Sequence, residues 1–395
     1  MPEVYKPRIN SIDLIRGFAV LGILLMNITS FSQIGIGYLN PMIGAGYEGS
    51  NMWLWDLNWL FSDMRFMNIF SMLFGAGIII FSKNLEAKGL KSWPVHYRRM
   101  LLLLGFGLIH AYFIWAGDIL VAYSICGMLV YLLRNKSIKY LAWVASIMFM
   151  LPIGFSLFTF FGAPQAELVK IFAFYSPSQI DIDAEVAVML GTYAEQTAER
   201  MKQAIELQTF VFWMEIFWRA SALMLLGMIL FKMGIFSGEK SESFYRRMVL
   251  IGVPIGLLVS GFGLYLAKAS GWDGTYVMSI GTKFNYVGSV PMSLGYLSLL
   301  ILAHKKGSFT GLRGRLMAAG RMAFTNYIFM SICGMFLFYG IGLGLIMSFD
   351  RLEMMLTTLA IWGIMLWISP VILSRFQQGP LEWFWRYLTY FGNEK

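Results

Sequence analysis

The chain lacks most residues that mark a soluble catalytic domain. Its 395 residues include two cysteines, Cys126 and Cys333, both inside apolar stretches. Neither a disulfide framework nor a cysteine metal site is expected from them. The three histidines, His96, His110 and His304, stand far apart without metal-ligand spacing, so no metal is expected. Charged residues make up 13% of the chain, against about 25% in a soluble domain. No glycine-rich phosphate loop with its lysine occurs, which argues against ATP-driven transport by this chain alone. Gly-x-Ser-x-Gly and His-Glu-x-x-His motifs are also missing. There is no clear internal repeat of the kind common in transporters.

What is present is apolar. Hydrophobic residues make up 58% and the mean hydropathy is positive. Segments of about 20 apolar residues suit membrane crossing. They fall near 12–31, 64–83, 99–116, 118–134, 140–161, 208–232, 248–268, 283–303, 322–345 and 353–374. Trp and Tyr gather near many of their ends, as in an interfacial belt. This pattern predicts an all-α, polytopic integral membrane bundle of about ten transmembrane helices. The turn near Gly117 is very short, so the third and fourth spans should form a tight hairpin.

Lysine and arginine placement orients the bundle. One set of connecting segments holds nearly all of them, from Lys6 and Arg8 to Arg386 and Lys395. The opposite set holds Lys170, Arg200, Lys202 and Arg351, with Arg65, Lys268 and Lys283 at its edges. Both termini are therefore expected on the cytoplasmic side of the inner (plasma) membrane. The net charge of +9 is mostly this topology signal and needs no nucleic acid to explain it. The first segment resembles a signal peptide only in its basic start. Asp13 and Arg16 would interrupt the apolar core, and no small-x-small cleavage site follows Asn27, so the segment is expected to be retained. One membrane domain, 1–395, divides into a five-helix half, 1–161, an exterior segment with an amphipathic helix, 162–207, and a second five-helix half, 208–395. Trp53–Phe61 reads as a short interfacial helix.

Several polar residues sit where lipid disfavours them. Asp13 and Arg16 share one face of the first helix, and Asn27 lies about 16 Å further along it at ~1.5 Å per residue. Ionisable groups in a span often mark a site or pathway; a buried ion pair that joins helices is the competing reading. His110 lies at a similar depth in the third span and could serve as a general base, or simply bridge helices. Asp118 could cap the fourth helix or orient an imidazole. Glu215 and Arg219 have the i, i+4 spacing of an intrahelical pair. Asp63, Arg65 and Asn68 cluster at the outer start of the second span. On the cytoplasmic side, Arg98, Arg99, Arg246, Arg247, Lys305, Lys306 and Arg313 to Arg321 could hold the phosphates of a nucleotide-type cofactor or meet lipid headgroups.

Three blocks of this pattern resemble the YeiB-like family of bacterial membrane proteins. The first is Arg8-x4-Asp13-x2-Arg16-Gly17-Phe18-Ala19-x2-Gly22-Ile23-x3-Asn27. The second comprises Phe70-Ser71-Met72-Leu73-Phe74-Gly75-x-Gly77, Arg98-Arg99-x5-Gly105-x4-His110 and Gly117-Asp118-Ile119-Leu120-x2-Tyr123. The third is Gly320-Arg321-Met322-Ala323-x-Thr325-Asn326-Tyr327 with Gly379-Pro380-Leu381-Glu382-Trp383-x-Trp385-Arg386, similar to that family's C-terminal domain of unknown function. The resemblance implies an architecture and no established reaction.

More widely, Arg16, ten residues and Asn27 resemble the first helix of transmembrane acyltransferases that modify surface polysaccharides, and of the lysosomal heparan glucosaminide acetyltransferase. That resemblance implies transfer of an acyl group from cytoplasmic acyl-CoA to an acceptor on the far side. In the polysaccharide enzymes the last motif position is a histidine; here it is Asn27, which cannot be a general base, and residues 28–95 contain no histidine. Neither family histidine carries over, so His110 is the remaining buried candidate.

The leading expectation is thus an acyltransferase-like membrane protein. His110 and Asp118 would be catalytic. Arg16, Asn27 and Asp13 would bind substrate, and Arg98, Arg99 and Arg321 would hold acyl-CoA. The acceptor would be a glycan, lipid or cell-wall precursor, and a homo-oligomer is compatible with the glycine-rich end of the ninth span. A transporter or flippase, and a noncatalytic scaffold, remain as alternatives. The orientation has a direct test. A fluorescent protein fused after Lys395 should fluoresce and alkaline phosphatase fused there should be inactive; the opposite pattern would overturn it.

Overall fold

A computed structural model describes residues 9–391; Lys6, Arg8 and Lys395, which contribute to the orientation argument, lie outside the described residues. Every described element is helical. The chain opens with α1 (Asn10–Ser32), about 35 Å long at ~1.5 Å per residue and mostly buried. A loop leads to α2 (Gly49–Phe61), the short helix expected around Trp53–Phe61. Met64, with φ of 67°, turns the chain into α3 (Arg65–Glu86). Then α4 (Ser92–Phe113) and α5 (Leu120–Val130) form the expected tight hairpin, and α6 (Ile138–Gly162) follows.

The exterior segment folds as α7 (Gln165–Ile171), α8 (Gln179–Leu190) and α9 (Tyr193–Glu206). Capping boxes start two of them: Ser178 with Asp181, and Thr192 with Glu195. These hydrogen bonds hold the Asp181 and Glu195 carboxyls below the ordinary carboxylate range. A π-helical stretch, Leu207–Ile216, continues α9 into α10 (Phe217–Lys232). Next come α11 (Glu242–Ala269), the single turn α12 (Gly274–Tyr276), and α13 (Thr282–Lys305), entered through a π-helical turn at Val277–Gly281. The chain ends with α14 (Thr310–Arg321), α15 (Ala323–Phe338), α16 (Arg351–Arg375) and α17 (Pro380–Tyr390).

Among the described residues, seven helical stretches are long and apolar enough to cross a bilayer. The pair α14 and α15, bent by 85°, makes an eighth if counted as one span. Each of the ten apolar segments read from the sequence carries a helix. The difference from ten lies at α4, whose hydropathy is lowered by His96, Arg98, Arg99 and His110, and at α5, which is short. The protein is an all-α, multi-pass membrane protein.

Lipid tails are as apolar as leucine, so helices associate there by close packing rather than by burying apolar surface from water. Glycine permits the closest approach. A Cβ on Gly17 would overlap the Leu316 carbonyl oxygen, and one on Gly320 would overlap that of Asp13. The backbones of α1 and α14 therefore touch. Gly75 and Gly227 do the same between α3 and α10, and Gly252 and Gly256 between α11 and α13. Helix α1 sits in the middle, against α3, α13, α14, α15 and α16.

Gly17→Ala or Gly320→Ala should push α1 and α14 apart at a cost of about 1–3 kcal/mol. Gly105→Ala, with no atom within 4 Å of its added Cβ, should be neutral or slightly stabilising. Thermal unfolding of the detergent-solubilised protein reads the difference; an unchanged melting temperature for Gly17→Ala would contradict the close crossing.

Candidate functional site

A cavity of about 390 Å³ opens among α1, α3, α4, α5, the α14–α15 corner and α17. Its interior is apolar, with Val20, Ile23, Phe70, Leu73, Phe74 and Leu103 on the walls. Arg16, Arg99, Arg321 and Arg386 also line it. Two of them flank the glycine crossing, since Arg16 precedes Gly17 and Arg321 follows Gly320.

The guanidinium groups are held in different ways. Arg16 lies 3.3 Å from the Asp13 carboxylate. Arg99 is sandwiched by aromatic faces, 4.6 Å from the Phe81 ring centre and 4.3 Å from that of Trp385. Such stacking is a favoured arginine environment and leaves the N–H edges able to bind an anion. Arg321 donates to the Gln377 carbonyl at 2.6 Å. Glu382, also at the cavity, is engaged elsewhere: its carboxylate accepts from the Phe324 and Thr325 N–H groups and from the Thr325 hydroxyl. It thereby satisfies the open N-terminus of α15 and fastens α17 to it. The Trp385 indole donates to the Arg99 carbonyl at 3.1 Å. Helix α17 is thus tied to α4 and α15 beside the cavity.

Deeper in the bundle, His110 and Asp118 meet. The imidazole Nδ1–H donates to Asp118 Oδ2 at 2.7 Å, with both side chains 1% exposed. Asp118 Oδ1 accepts from the Val121 N–H at 2.7 Å. One carboxylate therefore does both jobs read from the sequence: it caps the first turn of α5 and orients an imidazole. With the carboxylate ionised and the imidazole neutral, the ring proton lies on Nδ1 and Nε2 is the acceptor. That Nε2 is buried with no partner. His110 itself is not on the cavity wall. Tyr327 is: its ring lines the cavity and lies 5.0 Å from the imidazole.

The other sequence candidates divide. Arg16, Arg99 and Arg321 come together around the cavity, whereas Arg98 points aside and donates to the Phe391 carbonyl at 2.6 Å. Asp13 joins them through Arg16. Asn27 is half-buried and lies outside the cavity wall. The expected Glu215–Arg219 pair does not form. Glu215 pairs instead with Lys283 at 2.9 Å, while Arg219 donates to Asn68 Oδ1 at 2.7 Å. The π-helical stretch that ends at Ile216 changes the helical register, so the i, i+4 rule fails there. Asp63, Arg65 and Asn68 are drawn into a polar belt with Ser260, Asn285, Ser289 and Ser293 from α11 and α13.

His96, Arg386, Trp385 and Tyr327 also line the cavity and are not among the site residues expected from the sequence. His96 had a local signal, since it precedes Arg99 by three residues on one helix face. It lines the cavity, stacks on Tyr131 with ring centres 4.1 Å apart, and lies 3.1 Å from the Gly127 carbonyl through Nε2. Because that carbonyl accepts, Nε2 carries the proton and Nδ1 is left as an acceptor.

The helices and the arginine-lined cavity define a multi-pass membrane protein with a pocket suited to an amphipathic anion. Residues 230–392 match the model of a family described as "Protein of unknown function (DUF418)". The chain is 29% identical over 386 residues to the uncharacterized protein YeiB of Escherichia coli (strain K12), covering 96% of this chain and 95% of that one. It is also 29% identical over 408 residues to the uncharacterized protein YxaH of Bacillus subtilis (strain 168), covering 98% and 96%. An uncharacterized 39.9 kDa protein of Bacillus acidopullulyticus is 28% identical over 400 residues, covering 98% of this chain and 96% of that one. The resemblance to the YeiB-like family thus extends along nearly the whole chain.

Glu382→Ala would leave two α15 N–H groups unsatisfied and release α17. The expected loss is about 1–3 kcal/mol, read as a lower melting temperature, with faster proteolysis of the C-terminal helix. Unchanged stability and protection would show that α17 is held by other contacts.

Proposed function

We propose that the protein is an acyl-CoA-dependent acyltransferase of the plasma membrane, acting on an acceptor at the outer face. The observation that carries this reading is the set of four arginines around a largely apolar cavity. Phosphate is recognised by guanidinium groups in a planar, two-pronged manner. An apolar chamber beyond them suits an acyl group and the thioester arm that carries it. Acyl-CoA combines these chemistries in one molecule.

His110 would be the general base. Its Nε2 lone pair takes the proton of an acceptor hydroxyl as that oxygen attacks the thioester carbonyl. The new C–O bond forms, the C–S bond breaks, and the proton passes from His110 to the departing thiolate. Asp118 keeps the imidazole in the required tautomer and stabilises its charged form, as in other carboxylate–histidine pairs. Tyr327 stands between chamber and imidazole, so transfer requires its side chain to move aside. Asn27, away from the cavity, has no assigned step. The acceptor would be a glycan, lipid or wall precursor presented from outside.

One observation favours a transporter instead: the buried polar belt of Arg65, Asn68, Arg219 and Asn285 across α3, α10 and α13. The same preparation separates the two. Purified protein in vesicles, given radiolabelled acetyl-CoA and envelope extract, should transfer label to an acceptor. His110→Ala should slow this by about 10²–10⁴-fold, the usual worth of a general base. Transfer at the wild-type rate in His110→Ala would reject His110 as the base. No transfer, with proton-gradient-driven uptake of a solute, would favour the transporter.

A further inference from the structure

A second, much smaller cavity lies on the exterior side, among the end of α1, the loop at Tyr38 and Leu39, α2, and the start of α13. Its volume is about 40 Å³. Trp55, Asn58 and Trp59 present it with one face of α2, at i, i+3 and i+4. The indole Nε1 atoms of Trp55 and Trp59 and the Oδ1 of Asn58 are all buried with no hydrogen-bond partner. Both tryptophans are 5% exposed. Asp63 borders the same space; its carboxylate accepts from the Tyr38 hydroxyl at 2.5 Å and from Asn285 Nδ2 at 2.7 Å.

A buried polar group left unpaired costs about 1–3 kcal/mol, and native proteins rarely leave one so. Three of them around one cavity call for a ligand. Two indole N–H donors repel a cation. A carbonyl oxygen and a carboxylate repel an anion. A small neutral molecule that both donates and accepts meets every group. A water needs about 10–15 Å³ of such space, so the cavity has room for about three.

We propose that this cavity is a built hydration site, holding a small cluster of ordered waters between α2 and Asp63. Through Asp63 and Asn285 the cluster connects to Arg65 and the polar belt behind it. The belt then has a hydrated end facing outward, at the corner between α2 and α3. This site is separate from the arginine-lined cavity and does not depend on the acyl-transfer reading.

X-ray hydroxyl-radical footprinting of the purified full-length protein tests it, because radiolysis of a bound water oxidises the side chain beside it. Trp115, 8% exposed and outside this cavity, is the internal reference. Trp55 and Trp59 should be oxidised at least about fivefold faster than Trp115 although they are no more exposed, as expected of side chains that touch bound water. Asn58→Leu, similar in size but apolar, should bring both rates down to that of Trp115. Should that variant fail to fold, Trp55→Phe removes one donor and should slow oxidation of Trp59. Wild-type rates no faster than that of Trp115 would overturn the proposal. So would fast oxidation that persists unchanged in the variants, since the radicals would then come from bulk solvent.

Discussion

The arrangement around the cavity depends on how closely α1 can approach α14. At Gly17 and Gly320 the two backbones leave no room for a side chain on either side. In lipid, where apolar surfaces gain nothing by leaving their surroundings, such contact is the main source of helix attachment. Its consequence is chemical as well as mechanical. The residues flanking the two glycines are Arg16 and Arg321, so this close crossing also brings two like charges to one cavity rim. Their repulsion is moderated by Asp13 beside Arg16 and the Gln377 carbonyl at Arg321. Arg99 is held differently, by aromatic faces.

The α4–α5 hairpin supplies the second polar element. Its turn is so short that His110, near the end of one helix, faces Asp118, just before the next. The capping bond to Val121 fixes the carboxylate, and the carboxylate fixes the imidazole. Tyr327, one turn into α15, then separates this pair from the apolar chamber. The cavity and the pair are therefore neighbours joined through one side chain. The arginine-lined end of the cavity and the buried imidazole thus lie at different depths of the bundle.

Much of the architecture was legible in the sequence because the bilayer imposes simple rules of length, apolarity and charge placement. The helices appear where the apolar runs lie, and Asp118 and His110 could be named from residue type and depth. The cavity could not be seen, because its walls come from segments as distant as Arg16, Phe70, His96, Tyr123 and Tyr390. Whether Arg99 and Arg98 point to the same place depends on helix rotation, and they do not. Glu215 shows the limit of spacing rules most clearly. Its sequence distance from Arg219 predicts a pair, but the local π-helix carries it to Lys283. Helix α17 lies outside the ten apolar segments, yet Trp385 and Glu382 make it part of the cavity wall.

The central claim is that the arginine-lined cavity binds an acyl-CoA-like anion. Equilibrium binding of a nonhydrolysable acyl-CoA analogue to the purified protein tests it most directly, with Arg99→Ala and Arg321→Ala as comparisons. The account predicts saturable binding that weakens about tenfold or more in each variant, the expected loss of a hydrogen bond to a charged group. Absence of binding to the wild-type protein, or equal affinity in all three, would contradict it.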